Sequence, residues 1–402
     1  MKIPDNAGPP PPRPPRGWRV PPAILLDYSE PFEGWRILDE VSDDLGVALW
    51  HMARDVELWA AAAKRGALFS PGAAGRQSDS LRAAEPPPAL APALDVAVGL
   101  LSCPAEASAD ELSLACERVA RWAEARQAHS VALAFAQAAA VARPECGRAA
   151  VEAGRRAALR GDAPRADSWL RRAVALARRE GDQSTYALAW VELGDLNAGL
   201  GLEKRARQAY TRAFRMARRA GAYAVRARAL WGVARLEMRA ERYAEAERSL
   251  WRARRAFREG EPHAAFTHDL AEVAARQGRG AEAAPMLRRL LIWREDPVDR
   301  LRTLALLALC AAQAGDAAAV SELWHKAQPL TYAAPPGKGI AVALLDLARA
   351  ALDAGHRRFA TAPSPPRAAP PRSRNGGGPR RGRRARGRAA RRRSPFREAP
   401  RT

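Results

Sequence analysis

Hydrophobic residues near the start of the chain recur every three or four positions, which is the spacing of one face of an α-helix. Between residues 35 and 69 this face consists of Leu38, Val41, Leu45, Leu49, Met52, Val56 and Trp59. The polar run 42–44 and Gly46 interrupt it, so the pattern predicts either one helix or two. A stretch rich in proline near 70–92 is typical of a linker, and a short helix is predicted over 93–101. Residues 35–101 are therefore expected to form a helical module that contains a linker.

The pattern over residues 110–356 repeats itself. In each unit a small residue is followed by a turn residue 7 positions later, by Ala at 12, by a large apolar residue at 16 and by Ala at 19. Two clear units are Gly154, Gly161, Ala166, Leu170, Ala173 and Gly194, Gly201, Ala206, Tyr210, Ala213. Successive units are separated by 34, 40, 40, 37, 37 and 40 residues. Each unit predicts a helical hairpin, and hairpins must stack because one alone cannot bury its apolar face. The pattern predicts six hairpins followed by one unpaired helix.

The residues at these repeating positions resemble the tetratricopeptide repeat (TPR) motif. They are Trp190, Leu193, Gly194, Gly201, Ala206, Tyr210 and Ala213 in one unit, Tyr243, Ala246, Leu250 and Ala253 in the next, and Pro144 as a closing proline. The resemblance covers about residues 110–356 and is strongest over 147–260. Most units lack the closing proline, and several replace the signature tryptophan. The resemblance implies an all-α, right-handed superhelical solenoid of TPR-like hairpins, here with a helical N-terminal module and disordered termini.

The resemblance also implies a binding surface. In such repeats the first helix of each hairpin lines a concave groove that holds a peptide or protein partner. The residues placed in this groove by register are Arg121, Arg148, Arg155, Asp195, Arg228, Trp231, Arg235 and Glu272. Arg155, Arg228 and Arg235 are expected to pair with carboxylates of the partner, since arginine presents a planar fork of donors. Trp231 is expected to be an apolar anchor. The alternative is that these arginines form an ordinary solvated face.

The sequence contains no motif of a common catalytic or metal site. GxSxG, HExxH and CxxC are absent, and the 6 histidines are scattered. His263 and His268 straddle a helix, so surface or capping histidines are expected and no metal site. We predict no enzyme activity, no catalytic residue, no cofactor and no small-molecule substrate.

No run approaches the roughly 18–20 apolar residues that span a bilayer, and the N-terminus lacks the apolar stretch of a secretory signal. A cytoplasmic location without membrane association is predicted by elimination.

Composition divides the chain into a folded part and two tails. Of 402 residues 48% are hydrophobic, which is ample for a core. The Pro-rich leader 1–34 and the Arg-, Pro- and Gly-rich tail 357–402 are predicted to be disordered. The tail has sixteen arginines, no lysine and one acid, so it accounts for +15 of the net charge of +22.

Two interpretations of residues 357–402 stay open. The tail is either a polycationic arm that binds nucleic acid by counterion release, or the out-of-frame product of a GC-rich gene. The main hypothesis from the sequence is a non-catalytic scaffold that binds a protein or peptide in the groove. The alternative is a nucleic-acid-associated regulator that uses the C-terminal arm.

Overall fold

The protein is described here by a computed structural model. It describes residues 20–25, 31–41, 43–66, 68–257, 264–333 and 338–356. Every regular element in these ranges is an α-helix. The N-terminal helices are α1 (Pro31–Glu40), α2 (Asp43–Ala61), α3 (Pro71–Ala83) and α4 (Ala91–Ser102). They are followed by α5 (Ala109–Ala125), α6 (His129–Ala142), α7 (Gly147–Arg160), α8 (Ala163–Glu180), α9 (Gln183–Gly199) and α10 (Glu203–Arg219). The last are α11 (Tyr223–Arg239), α12 (Tyr243–Ala256), α13 (Ala264–Arg276), α14 (Gly280–Trp293), α15 (Pro297–Gln313), α16 (Ala317–Ala333) and α17 (Lys338–Asp353).

Helices α5 to α16 form six consecutive hairpins, and α17 follows them with no second helix after it among the described residues. Each first helix from α7 to α13 contacts the first helix of the next hairpin. The second helices lie on the other side; α8 and α10, for example, each pack between the two first helices that flank them. The predicted all-α solenoid of helical hairpins is confirmed.

The repeating small residues are the sites where helices approach most closely. Ala206 and Ala213 are fully buried, and the ring of Tyr210 between them packs against two glycines. A Cβ atom added at Gly194 or at Gly232 would lie 2.4 Å from that ring. Glycine is therefore required at both positions, because α9 and α11 both pack directly against the tyrosine of α10, the second helix that lies between them.

The hairpin turns follow the chemistry of helix ends. Helix α7 is followed by Gly161, which has a φ of 86°, in the left-handed region that glycine adopts without strain. Asp162 then caps α8 by accepting a hydrogen bond from the backbone N–H of Arg165 at 3.1 Å. Hence one left-handed residue and one cap suffice to reverse the chain.

The N-terminal module packs against the array through α2, which contacts α6. The buried face of α2 includes Leu49, Met52, Val56 and Trp59, and the Trp59 indole donates to the Pro104 carbonyl at 2.8 Å. The predicted interruption is confirmed, since α1 ends at Glu40 and α2 begins at Asp43.

The linker predicted near 70–92 is wrong in its first half, where α3 lies. Pro71 occupies the first turn of α3, where the N–H that proline lacks has no partner within the helix. Leu81 is buried on the core side of the same helix. Proline therefore starts this helix instead of breaking it.

The prediction of a disordered leader over 1–34 is also wrong in part. Residues 20–25 form an extended segment that packs on α6 and α8, and α1 begins at Pro31. The segment is held through its backbone carbonyls, a type of contact that composition does not reveal. Residues 1–19, 26–30 and the tail 357–402, for which disorder is also predicted, lie outside the described residues.

None of the helices in the described ranges combines the length and the apolar character that crossing a membrane requires.

Candidate functional site

The candidate site is the surface formed by α5, α7, α9, α11 and α13, which we call the first-helix face. Five of the predicted groove residues occupy one repeating position on it, directly after the small residue of the repeat. They are Arg121, Arg155, Asp195, Arg235 and Glu272. A second shared feature is an acid two positions before that small residue, at Glu152, Glu192 and Asp269. Since the first helices contact one another, these rows place cations and carboxylates of adjacent hairpins side by side.

Two arginines bridge α5 and α7. Arg155 donates to both oxygens of Glu124, at 2.7 and 3.0 Å, and to Glu152 at 3.1 Å. Arg156, almost fully buried, donates to Glu152 at 2.6 Å and lies 3.1 Å from Glu124. Burial opposes the ionisation of both glutamates, but the two guanidinium groups outweigh it and hold the pKa of Glu124 and of Glu152 below the usual range. The cluster is a closed network of four charges.

A second network joins α9 and α11. Arg228 lies 2.9 Å from Glu192 and 3.2 Å from Asp195, and Asp195 also accepts the Tyr210 hydroxyl at 2.6 Å. Burial raises the pKa of Glu192, and the charge of Arg228 opposes that rise. Arg228 thus neutralises a buried carboxylate of its own chain.

The third group of contacts joins α11 and α13. The Trp231 indole donates to Asp269 at 2.7 Å, and its ring meets Phe266 edge-on with the centroids 5.7 Å apart. Arg235 is only loosely engaged, 3.8 Å from Asp269, with 55% of its side chain exposed. Trp231 is half-buried here, so the edge of an aromatic ring and a mostly exposed guanidinium group share the carboxylate of Asp269.

Beyond the face, α13 is tied to α17. Arg276 donates to both oxygens of Asp346 at 2.7 Å and lies 3.7 Å from Glu272. The bidentate geometry is the strongest form of an arginine–carboxylate pair. It connects the last described helix to a hairpin that is not its immediate neighbour.

One set of side chains has the geometry of a metal site. His268, Asp269 and Glu272 each offer a ligand atom, and these atoms lie within 4.8 Å of one another. Asp269 is already engaged by Trp231, while guanidinium groups stand 3.8 Å from Asp269 and 3.7 Å from Glu272. Two adjacent cations disfavour a divalent ion, so the arrangement fits an ion-pair network better. The predicted exposure of His268 is wrong, because only 2% of it is accessible.

The predicted site residues thus fall into two groups. The structure brings Asp195 to Arg228, and it brings Trp231 and Arg235 to a common carboxylate, Asp269. By contrast, Arg121 and Arg148 are exposed, and Glu272 contacts Arg276. The expectation that Arg155 and Arg228 await carboxylates of a partner is wrong, since this chain supplies those carboxylates. The partners that the prediction missed are Glu124, Glu152, Glu192 and Asp269. For Glu152, Glu192 and Asp269 the signal, an acid two positions before the repeating small residue, was present in the sequence.

Comparison with known proteins shows similarity of this chain to solved structures only. No family model matches the chain, and no curated protein matches it. One similar structure is pilF of Pseudomonas aeruginosa, with a TM-score of 0.44 and 15% identity, over 58% of this chain and 97% of that one. Another is a Rap protein complexed with Competence and Sporulation Factor, with a TM-score of 0.48 and 12% identity, over 79% and 94%.

A third is the Podosopora anserina putative kinesin light chain with nearly identical TPR-like repeats, with a TM-score of 0.38 and 19% identity, over 46% of this chain and 95% of that one. At TM-scores below 0.5 none of these likenesses establishes a function for this chain. Its own helices show the hairpin array, in which Ala206, Tyr210 and Ala213 are buried at the positions that the motif predicts. In these packing residues and in its stacked hairpins the chain is similar to tetratricopeptide-repeat proteins.

Proposed function

We propose that the protein is a non-catalytic scaffold whose first-helix face binds a peptide or protein partner. The observation that carries this proposal is that Trp231 and Arg235, one helical turn apart on α11, both contact Asp269. The indole is fixed by Asp269 and Phe266, while most of Arg235 is exposed and held by one distant contact. An immobilised aromatic ring beside an available guanidinium is the composition of a binding hot spot.

The charges around this pair define the partner. Arg155 and Arg228 are neutralised by carboxylates of this chain, so they rigidify the face and contribute little to attraction. Arg121, Arg148 and Arg235 are exposed at repeating positions along the same face. A partner segment with an apolar side chain for Trp231 and carboxylates for these three arginines fits this arrangement.

The test starts from peptides selected by display on the full chain, whose affinities are then measured by fluorescence anisotropy. Arg235→Glu is expected to weaken binding by about tenfold or more, as a lost charge-assisted hydrogen bond would. The matched control is Arg205→Glu, an exposed position on the second helix α10. Equal effects of both substitutions would show that net charge, not the first-helix face, controls binding, and would refute the proposal.

The predicted alternative, a regulator that binds nucleic acid through residues 357–402, depends on a segment outside the described residues. Deleting that tail from the same protein separates the two functions. The scaffold proposal expects the selected peptides to bind the shortened chain with unchanged affinity.

A further inference from the structure

The extended segment 20–25 shows how this array holds a peptide on the side opposite the first-helix face. Its carbonyl oxygens accept hydrogen bonds from side chains of two successive second helices, α6 and α8. Gln137 of α6 and the Trp169 indole of α8 both donate to the Ile24 carbonyl at 2.9 Å. Arg172 donates to the Pro21 carbonyl at 2.8 Å, and Arg165 to that of Leu25 at 3.2 Å.

This groove selects a backbone instead of particular side chains. Ser168 adds a longer contact to the Pro22 carbonyl at 3.4 Å. Four of the six residues of the segment thus accept hydrogen bonds through their backbone carbonyls. Prolines at positions 21 and 22 favour the extended conformation and leave the carbonyls free for such donors. Val20, Ala23 and Leu25 meanwhile pack against the hydrophobic core beneath.

The same positions of the repeat line a second groove, between α14 and α16. Counting from the repeating residues Ala132 and Ala283, Gln137 in α6 corresponds to Arg288 in α14. Counting from Ala166 and Val320, the α8 residues Arg165, Ser168, Trp169 and Arg172 correspond to Ala319, Glu322, Leu323 and Lys326 in α16. All five counterparts line one cavity of about 650 Å³.

The chemistry of this cavity suits a ligand like the segment 20–25. Its walls include Leu291, Leu304, Leu307 and Leu323, which offer an apolar floor. The exposed cations Arg288 and Lys326 stand where Gln137 and Arg172 stand in the occupied groove, and Lys326 is also paired with Glu322 of the same wall. Helix α6, covered by the segment and by α1 and α2, is buried along nearly all its length, whereas α14 is buried only at four residues on one side.

We propose that the groove between α14 and α16 binds an extended, proline-containing apolar segment of a partner protein. Arg288 and Lys326 donate to carbonyl oxygens of that segment, and its branched aliphatic side chains fill the cavity above Leu304 and Leu307. The segment of this chain with the same chemistry already occupies the groove between α6 and α8. This second site is independent of the first-helix face and of the function proposed for it.

The probe for the test is a fluorescent peptide of residues 19–26 of this sequence, titrated into the full-chain protein. We expect saturable binding that Lys326→Ala and Arg288→Ala each weaken about tenfold, because each removes one charged donor. Arg289→Ala is the matched control, since Arg289 is the exposed neighbour of Arg288 and does not line the cavity. Unchanged thermal unfolding of the variants will show that any loss is local.

Three results would overturn the proposal. One is the absence of saturable binding, and another is equal binding of a peptide with the same residues in scrambled order. The third is binding that ignores Lys326→Ala and Arg288→Ala but tightens when residues 1–25 are deleted from the protein. That last result would mean that the probe exchanges with residues 20–25 in the groove between α6 and α8.

Discussion

The hydroxyl of Tyr210 donates a 2.6 Å hydrogen bond to Asp195, and so joins the second helix of one hairpin to its first helix. The same aspartate lies 3.2 Å from Arg228 of the next hairpin. Burial and the adjacent carboxylate raise the pKa of Tyr210, so the phenol stays protonated and remains a donor. Packing contacts and polar contacts of two repeats therefore converge on the side chain of Tyr210.

The first prediction tests the close approach at this tyrosine. Gly232→Ala would place a methyl group within 2.4 Å of the Tyr210 ring, so we expect a loss of about 1–3 kcal/mol in the free energy of unfolding. Urea titration followed by circular dichroism measures it. Gly199→Ala is the control, because no atom lies within 4 Å of an added Cβ there, and it should be neutral or stabilising. Equal effects of the two substitutions would contradict the packing described here.

The second prediction concerns the pair between α13 and α17. Arg276 and Asp346 are 15% and 9% exposed, so removing one partner leaves the other charge without compensation. Arg276→Met is expected to destabilise by about 3 kcal/mol or more, and Asp346→Leu added to it should recover much of the loss. The exposed pair of Glu322 and Lys326 is the control, where Glu322→Gln should cost less than about 1 kcal/mol.

Hydrogen exchange separates that local role from a general loss of stability. Amides of α17 are expected to lose protection in Arg276→Met before those of α9 do, because the pair ties α17 to the rest of the array. Simultaneous loss in both helices would show that the pair has no special role in holding α17.

The third prediction follows from a buried acid in the N-terminal module. Burial raises the pKa of Asp55 in α2 to about 7, against the opposing effects of Arg54 and of a hydrogen bond from Gln77 of α3. Between the unfolded value of 3.8 and about 7 the folded chain holds a proton that the unfolded chain has released. The stabilisation that this bound proton gives the folded state is therefore complete below pH 3.8, and it is lost as the pH rises from there to about 7.

Asp55→Asn removes this titration and keeps the shape of the side chain. Between about pH 4 and pH 7 the free energy of unfolding of the variant, relative to that of the wild type, should rise by on the order of 3 kcal/mol. Denaturant unfolding at several pH values measures this difference. If the difference between the two proteins does not change with pH, Asp55 is ionised in the folded state and the expectation is wrong.

The fourth prediction tests the extended segment. A chain that lacks residues 1–25 leaves the buried Trp169 indole without its acceptor, the Ile24 carbonyl, and uncovers part of α6. We expect a loss of about 2–5 kcal/mol in unfolding free energy, since an unpaired buried donor costs about 1–3 kcal/mol and the uncovered apolar surface adds to that. A chain that lacks only residues 1–19 retains the segment and is the matched control. Identical unfolding curves for the two chains would refute this role.

The sequence predicted those parts of the fold that depend on side-chain size. Tight packing at Gly194, Ala206 and Ala213 restricts those positions to small residues. The regular spacing of small residues can therefore be read in the sequence, and it predicts the six hairpins. The helix α3 was missed because its composition is that of a linker, and its stability comes from burial of Leu81. The segment 20–25 was missed because main-chain carbonyls carry no residue signature.

The site was only partly predictable for a different reason. Register placed Arg155, Arg228 and Arg235 on one face, but it did not decide whether their carboxylate partners belong to this chain or to another. Contacts across adjacent first helices decided it for Arg155 and Arg228, which lie against Glu124 and Glu192. Arg235 is left as the arginine of the three with the weakest engagement.

The docking of residues 20–25 has a consequence for how the protein is made. The ribosome synthesises these residues before their donors, because Gln137, Trp169 and Arg172 follow 113, 145 and 151 residues behind the acceptors. At about 5–20 residues per second the nascent chain has to wait roughly 10–30 s before α8 has been translated. During that interval the surface of α6 has no cover from this segment, and nascent hairpins are most exposed to chaperones and to mispairing. The segment 20–25, although it is synthesised before α6 and α8, is therefore among the last parts of the module to reach its folded position.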